Sequence, residues 1–420
     1  MLPPGWPPRP GRASPERRGL SRRGLLGLAG GGVLLLAGCG PEESTGSDTD
    51  AAPGARDGAP ENALGVNFNE EPSGVTPAVL DDLRTRWVRG FVALPRLDTV
   101  DAAHQPAIKT LLTLAEAGYA TVLSLKFPFQ EKPLPRPGTS AMTAELARVD
   151  KALDAVLDKI DILVVGNEPF LETRQEDRAG RLNPFYEAVA AHVVSERRKR
   201  FGTGCRTGLY MGALNRLEDP AWRTPAVDGW LAHVKATPEI EGVDIHPHVS
   251  ALKDAKAYTD YVLPRIRPEQ RFLATEFSLV HWWKQHWIDP VPATYADRYG
   301  VPGDTLVWQE VRGSAAHPLP QERWHDLLMG SPWFASRKDY LTHQVEQFRA
   351  TGRLAVATYG TLQQPAMIRD IGPDKTPWLL NSLYANLVAQ PSENGDKARN
   401  PAFYEDFRTL QNASDASDAS

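Results

Sequence analysis

The segment Ile162-Leu163-Val164-Val165-Gly166-Asn167-Glu168-Pro169 reads as a short buried strand that ends by delivering an amide and a carboxyl. Four consecutive aliphatic residues leave no polar face for water, the pattern of a parallel strand covered on both sides. Seven further runs share this character: Ala63 to Phe68, Trp87 to Leu94, Ala120 to Lys126, Thr207 to Gly212, Val243 to His246, Phe272 to Glu276 and Leu354 to Tyr359. Segments of helical period separate them. Eight such units in one continuous body predict an α/β fold, a closed (β/α)8 TIM barrel. No glycine-rich dinucleotide turn follows the first strand, which argues against an open doubly wound sheet.

The helices are marked by their apolar faces and punctuation. Met142, Leu146, Val149, Leu153, Val156, Leu157 and Ile160 recur every three or four residues, giving one face for the barrel wall. A second helix runs from Pro106 to a stop at Gly118, and Asn183-Pro184 reads as an N-cap with Pro at the first helical position. Residues 254–266, 336–350 and 376–389 supply three more, with shorter ones near 76–85 and 227–236. The longest excursion, residues 281–335, is a Trp-rich insertion after the seventh strand.

The ends read differently. Arg9, Arg12, Arg17, Arg18, Arg22 and Arg23 precede an apolar run from Gly24 to Gly38, the layout of a signal peptide over residues 1–38. Ser21-Arg22-Arg23 resembles a twin-arginine export signal, and Leu36-Ala37-Gly38-Cys39 resembles a lipoprotein lipobox, which implies acylation of Cys39. Residues 39–61 lack large apolar side chains and read as a flexible stalk. The body then spans 62–410, and 411–420 reads as a disordered tail. Cleavage before Cys39 removes six Arg and one Glu, taking the formal charge from −5 to −10. Nucleic acid is therefore disfavoured as a partner, and a strongly anionic polymer would need a local basic cleft. With Cys39 acylated, Cys205, the other of two cysteines, has no intrachain partner, so packing alone holds the fold.

In a barrel of this kind the chemistry sits at the C-terminal ends of the strands. There Glu168 closes the fourth strand and Glu276, in Phe272-Leu273-Ala274-Thr275-Glu276, closes the seventh. This pair resembles glycoside hydrolase clan A, the retaining (β/α)8 glycosidases whose acid/base follows an Asn on strand four and whose nucleophile ends strand seven. The resemblance covers about Ala63 to Gln390. It implies Glu168 as proton donor with a pKa raised by burial and by the second carboxylate, Glu276 as nucleophile, and Asn167 on the sugar 2-hydroxyl. Two carboxyls suit the reaction: one protonates the leaving oxygen while the other attacks the anomeric carbon.

By the same resemblance Arg89 on strand two keeps the nucleophile ionised. On strand six His246 matches the clan's His-x-Tyr, with His248 in place of Tyr, and Tyr359 on strand eight stands where a Trp platform is usual. His246-x-His248 also permits a metal reading, since alternate strand residues face one side, but no further ligand is evident and no metal or cofactor is expected. Trp282 and Trp283 head six tryptophans, with Trp287, Trp308, Trp324 and Trp333, that read either as the wall of a glycan cleft or as packing for the insertion. The expected function is an exported, lipid-anchored glycosidase cleaving β-linked oligo- or polysaccharides, held on the outside of the cytoplasmic membrane or on the outer membrane. A noncatalytic glycan-binding barrel is the alternative.

Overall fold

The computed structural model describes residues 60–415 apart from 70 and 71. The signal, lipobox and nearly all of the stalk expectations fall outside that range. Eight parallel strands close into a barrel in sequence order: β1 (Ala63–Asn67), β2 (Trp87–Ala93), β3 (Ala120–Lys126), β4 (Ile162–Val165), β5 (Gly208–Asn215), β6 (Ile240–His246), β7 (Arg271–Ala274) and β8 (Leu354–Gly360). All eight expected strands are present, with ends shifted by up to three residues.

Around the barrel lie α1 (Pro77–Asp82), α2 (Pro106–Glu116), α3 (Ser140–Val156), α4 (Leu182–Phe201), α5 (Pro225–Ala236) and α6 (Leu252–Val262). Local chemistry starts them. Thr76 and Thr139 each accept a hydrogen bond from the amide three residues on, Val79 and Met142, capping α1 and α3. Gly118, at φ +86°, turns the chain after α2, a conformation glycine adopts without steric cost. On α3 the side chains of Met142, Val149, Leu153 and Val156 are buried. Each contributes about 1.5–3 kcal/mol of apolar burial.

Between β7 and the next wall helix come α7 (Val280–Gln285), α8 (Ala293–Tyr299), α9 (Val307–Ala316), α10 (Gln321–Met329) and α11 (Pro332–Ala335), followed by α12 (Tyr340–Arg349). After β8 come α13 (Pro365–Ile368) and α14 (Phe403–Asp415).

Three expectations need correction. Asn183 lies inside the first turn of α4 rather than capping it, and its side chain instead donates to the Ala226 carbonyl at 2.9 Å. Residues 376–389 form a short 3-10 turn at Trp378–Asn381 and then irregular chain, because their apolar residues serve several neighbours instead of one helical face. Residues 411–415, expected in the tail, continue α14.

The barrel interior has two layers. Val122, Ile162, Val164, Tyr210, Leu273 and Val356 pack into an apolar plug. Two residues further along the same strands the inward positions become Ser124, Thr275 and Thr358, and Arg89, Asp244 and His246 join them, all buried. Alternation along a strand repeats every second residue. One strand therefore carries both the plug and the floor of a polar mouth, and that mouth lies at the C-terminal end.

Candidate active site

Glu168 and Glu276 both reach this mouth. Their side chains keep 23% and 20% of their surface exposed, enough for a ligand to touch them. Two backbone departures aim the first. Gly166 takes φ +114°, where a Cβ would come within 2.1 Å of the Gly212 carbonyl oxygen, and Glu168 itself sits at φ +48°. Regular alternation would send Asn167 and Glu168 to opposite faces; these turns let both serve the mouth. The left-handed Glu168 costs on the order of 1 kcal/mol, and amides of Leu171 and Glu172 fasten the turn by donating to its carbonyl.

Arg89 is fully buried and divides its guanidinium three ways. Nη1 donates to Glu276 Oε1 at 2.5 Å, Nη2 to Asn167 Oδ1 at 2.5 Å, and Nε to Ser124 Oγ at 3.2 Å. One cation thus ties the strand-two, strand-four and strand-seven elements together. Burial raises the Glu276 pKa, but the charges of His246, Arg89 and His248 outweigh it and hold this carboxyl well below the usual range.

Glu168 has a different partner. Thr275 Oγ1 donates its single proton to Asp244 Oδ2 at 2.5 Å and so accepts from His246 Nε2 at 2.9 Å. His246 Nδ1 is then the titrating nitrogen, and it faces Glu168 Oε1 at 3.3 Å. Burial favours the neutral form of each, yet the acidic surroundings push His246 up to about 10. Burial would also raise Glu168, but the hydrogen bond and charge of His246 outweigh it and lower its pKa. The expectation of a raised Glu168 is thereby corrected, because the facing imidazole favours a proton on His246 and a charge on Glu168.

His248 Nε2 lies 3.7 Å from Glu276 Oε2, and its Nδ1 meets Ser278 Oγ at 2.8 Å. Donor atoms of Glu168, His246 and His248 all fall within 4.8 Å of one another. This triplet supplies the third metal donor that the sequence had not revealed.

Tyr359 and Trp283 are not at the mouth. Tyr359 is fully buried against Phe277 and Phe403, at ring separations of 5.1 and 5.9 Å, because its strand position faces the helices. Trp283 is fully buried between Phe334 and Phe403. Trp282 is half-buried, its indole nitrogen donating to the Trp333 carbonyl at 3.0 Å. Trp287, Trp324 and Trp333 are buried as well, so packing prevails over a sugar-facing wall for most of this group.

Several members went unread in the sequence. Asp244 precedes His246 by two, the spacing of one strand face, so period two alone would have found it. Trp378, half-buried at the start of the 3-10 turn, sets its ring edge-on to His248 at 4.8 Å. Asn167 Nδ2 donates to Glu172 Oε1 at 2.9 Å, and Lys126 Nζ reaches the same oxygen at 2.9 Å. Burial pushes Glu172 up to about 7 even so, with Lys126 opposing. No motif marks that pair.

No protein-family model matches the chain, and no curated protein matches it. Among solved structures it is similar to a GH10 protein of Paenibacillus barcinonensis at 11% identity, covering 84% of this chain and 95% of that one, with TM-score 0.46. It is also similar to the endo-1,4-beta-xylanase of Penicillium canescens, at 12% identity, 84% and 95% coverage and TM-score 0.45. An exo-beta-1,4-mannosidase from Opitutaceae bacterium strain TAV5 is matched at 13% identity over 87% of this chain, with TM-score 0.44; the chain spans 62% of that protein's length. These are likenesses of fold. The chemistry has to be argued from the mouth of the barrel itself.

Proposed function

We propose that the chain is a retaining glycosidase of the clan A type, acting on β-linked oligo- or polysaccharides and exported with a lipid on Cys39. The observation that carries the reading is the unlike pairing of two carboxyls in one barrel mouth. Glu276 is locked as a carboxylate by Arg89 at 2.5 Å, while Glu168 faces a protonatable nitrogen of His246 at 3.3 Å. Carboxyls whose surroundings assign them opposite tasks are what acid-assisted displacement requires.

The steps follow from those partners. Glu276 attacks the anomeric carbon as the glycosidic C–O bond breaks, and the proton held between His246 Nδ1 and Glu168 passes through Glu168 to the leaving oxygen. A glycosyl ester on Glu276 results. Glu168, now a carboxylate, takes a proton from water; the water oxygen attacks the anomeric carbon, the ester bond breaks and Glu276 is freed. Asn167, its carbonyl oxygen fixed on Arg89 and its amide nitrogen on Glu172, has a second amide hydrogen to give to a sugar hydroxyl in this reading.

The test uses both acids. Glu276→Ala is expected to abolish turnover of every substrate, because no glycosyl ester forms. Glu168→Ala should still react once with an activated aryl glycoside and accumulate the ester, and azide should restore turnover with retained configuration. Near wild-type activity in both variants would sink the assignment. The Glu168, His246 and His248 donor triplet favours a metal-dependent hydrolase as the second reading. Chelator dialysis separates the two: undiminished activity supports the first, and loss restored by zinc supports the second.

A further inference from the structure

β5 lies between the strand that delivers Glu168 and the strand that carries His246. Its last residue, Asn215, is the register partner of His246. Neighbours across a parallel pair face the same side of the sheet, so Asn215 points with His246 into the mouth. This side chain is 4% exposed, and neither its amide nitrogen nor its oxygen has a hydrogen-bond partner. Buried amides are ordinarily bonded; this one holds a donor and an acceptor ready for a ligand.

The next residue, Arg216, is a half-buried cation at the same rim, paired with Glu218 at 3.3 Å. Its guanidinium carbon lies 5.5 Å from the centre of the Trp222 ring, and that of Arg178, from the loop after β4, lies 5.1 Å from the same ring. One indole is flanked by two cations. Arg178 donates to the Thr173 carbonyl at 3.2 Å, and among the described residues no carboxylate pairs with it. His281 registers the local field: burial first, then its neighbours His248 and Arg216, push it down to about 4. Arg216 therefore acts on the same space as His248.

We propose that this sector is a subsite for an anionic sugar, its uronate carboxylate or sulfate ester held by Arg178 and Arg216 beside Trp222, with Asn215 on a neighbouring hydroxyl. The inference rests on the glycosidase reading. A planar guanidinium donates two parallel hydrogen bonds to a carboxylate or sulfate, and the Trp222 ring between the two cations holds them near one another. The chain's negative net charge argues against a uniformly anionic polymer, so the class indicated is a mainly neutral glycan with spaced acidic residues.

The experiment titrates β-linked gluco- and xylo-oligosaccharides, each with and without a glucuronate residue and in O-sulfated form, into the full chain carrying Glu276→Gln, by calorimetry. Wild-type hydrolysis of the same panel runs beside it. The acidic member is expected to bind at least about tenfold more tightly than its neutral match, and Arg178→Gln to erase most of that ratio. Arg178→Lys, which keeps the charge but not the fork, should retain part of it and guards against a folding artefact. Equal affinity for neutral and acidic members, or an equal loss on both in Arg178→Gln, overturns the subsite. Retaining hydrolysis of neutral glycans without acid preference overturns the subsite alone, whereas no binding and no hydrolysis of any glycan overturns the glycosidase reading as well. Preference for the sulfated form over the uronate assigns the sector to sulfate esters.

Discussion

At the scale of single residues, the working proton is held by a pair rather than by one acid. His246 Nδ1 and Glu168 Oε1 face each other at 3.3 Å, and carboxylate with imidazolium has the same charge as carboxylic acid with imidazole. Such a pair titrates as a unit. With His246 pushed up to about 10, the unit keeps its proton as pH rises and loses it only near that value, so activity should fall on the alkaline side there. His246→Gln leaves Glu168 to titrate alone, raised by burial and by the Glu276 charge but far less than the imidazole. The alkaline limb of kcat/KM is then expected to move to lower pH by at least about one unit. An unmoved limb in the variant would show that the proton does not reside on this pair.

At the scale of elements, the decisive piece is the hinge between β4 and its loop. Gly166 sits at φ +114° with Gly212's carbonyl where its Cβ would be. Gly166→Ala therefore meets a backbone penalty and a backbone clash together, and should destabilise the protein by about 2–4 kcal/mol. Thermal or urea unfolding measures this. A loss under about 0.5 kcal/mol, the ordinary size for a surface change, would mean that the turn relaxes freely. The sequence announced this element because a Gly-Asn-Glu-Pro end on an aliphatic run has few other uses, and the eight strands were legible for the same reason. Tyr359 and Trp283 were misplaced because a residue's type shows its affinity for sugars but not which face of its element it occupies. Residues 376–389 failed differently: their apolar positions, among them Leu379, Leu383 and Val388, are buried but serve loop packing, which has no period. Lys126 with Glu172 was invisible because the two lie far apart in the chain, and Asn215 because no local pattern shows that a buried amide is left without a partner.

At the scale of the whole molecule, the described residues form a barrel whose apolar core runs from β1 to α14. Among them no helix is long and apolar enough to cross a membrane. If Cys39 is acylated, wild-type chain made in a bacterial host should enter the detergent phase and Cys39→Ser should not; equal aqueous partitioning would remove the anchor. A second consequence concerns what the fold needs. β1 begins at Ala63, and the Asn62 amide already donates to the Leu354 carbonyl on β8, so closure of the barrel starts there. Arg349 adds a tie, donating to the Asn62 carbonyl at 3.0 Å and to the Leu410 carbonyl at 3.2 Å, which binds the start of the body to α14. Arg271 pairs with Glu61 at an exposed site, a contact worth little. A chain beginning near Glu61 should consequently keep its thermal transition within a few degrees, and whatever turnover the full chain shows on soluble substrate. One ending before Phe403 should not, because Phe403, Tyr404 and Phe407 are buried and their removal uncovers the wall beside β1. Loss of the transition in the first truncation, or its survival in the second, would show that the boundaries of the cooperative unit lie elsewhere.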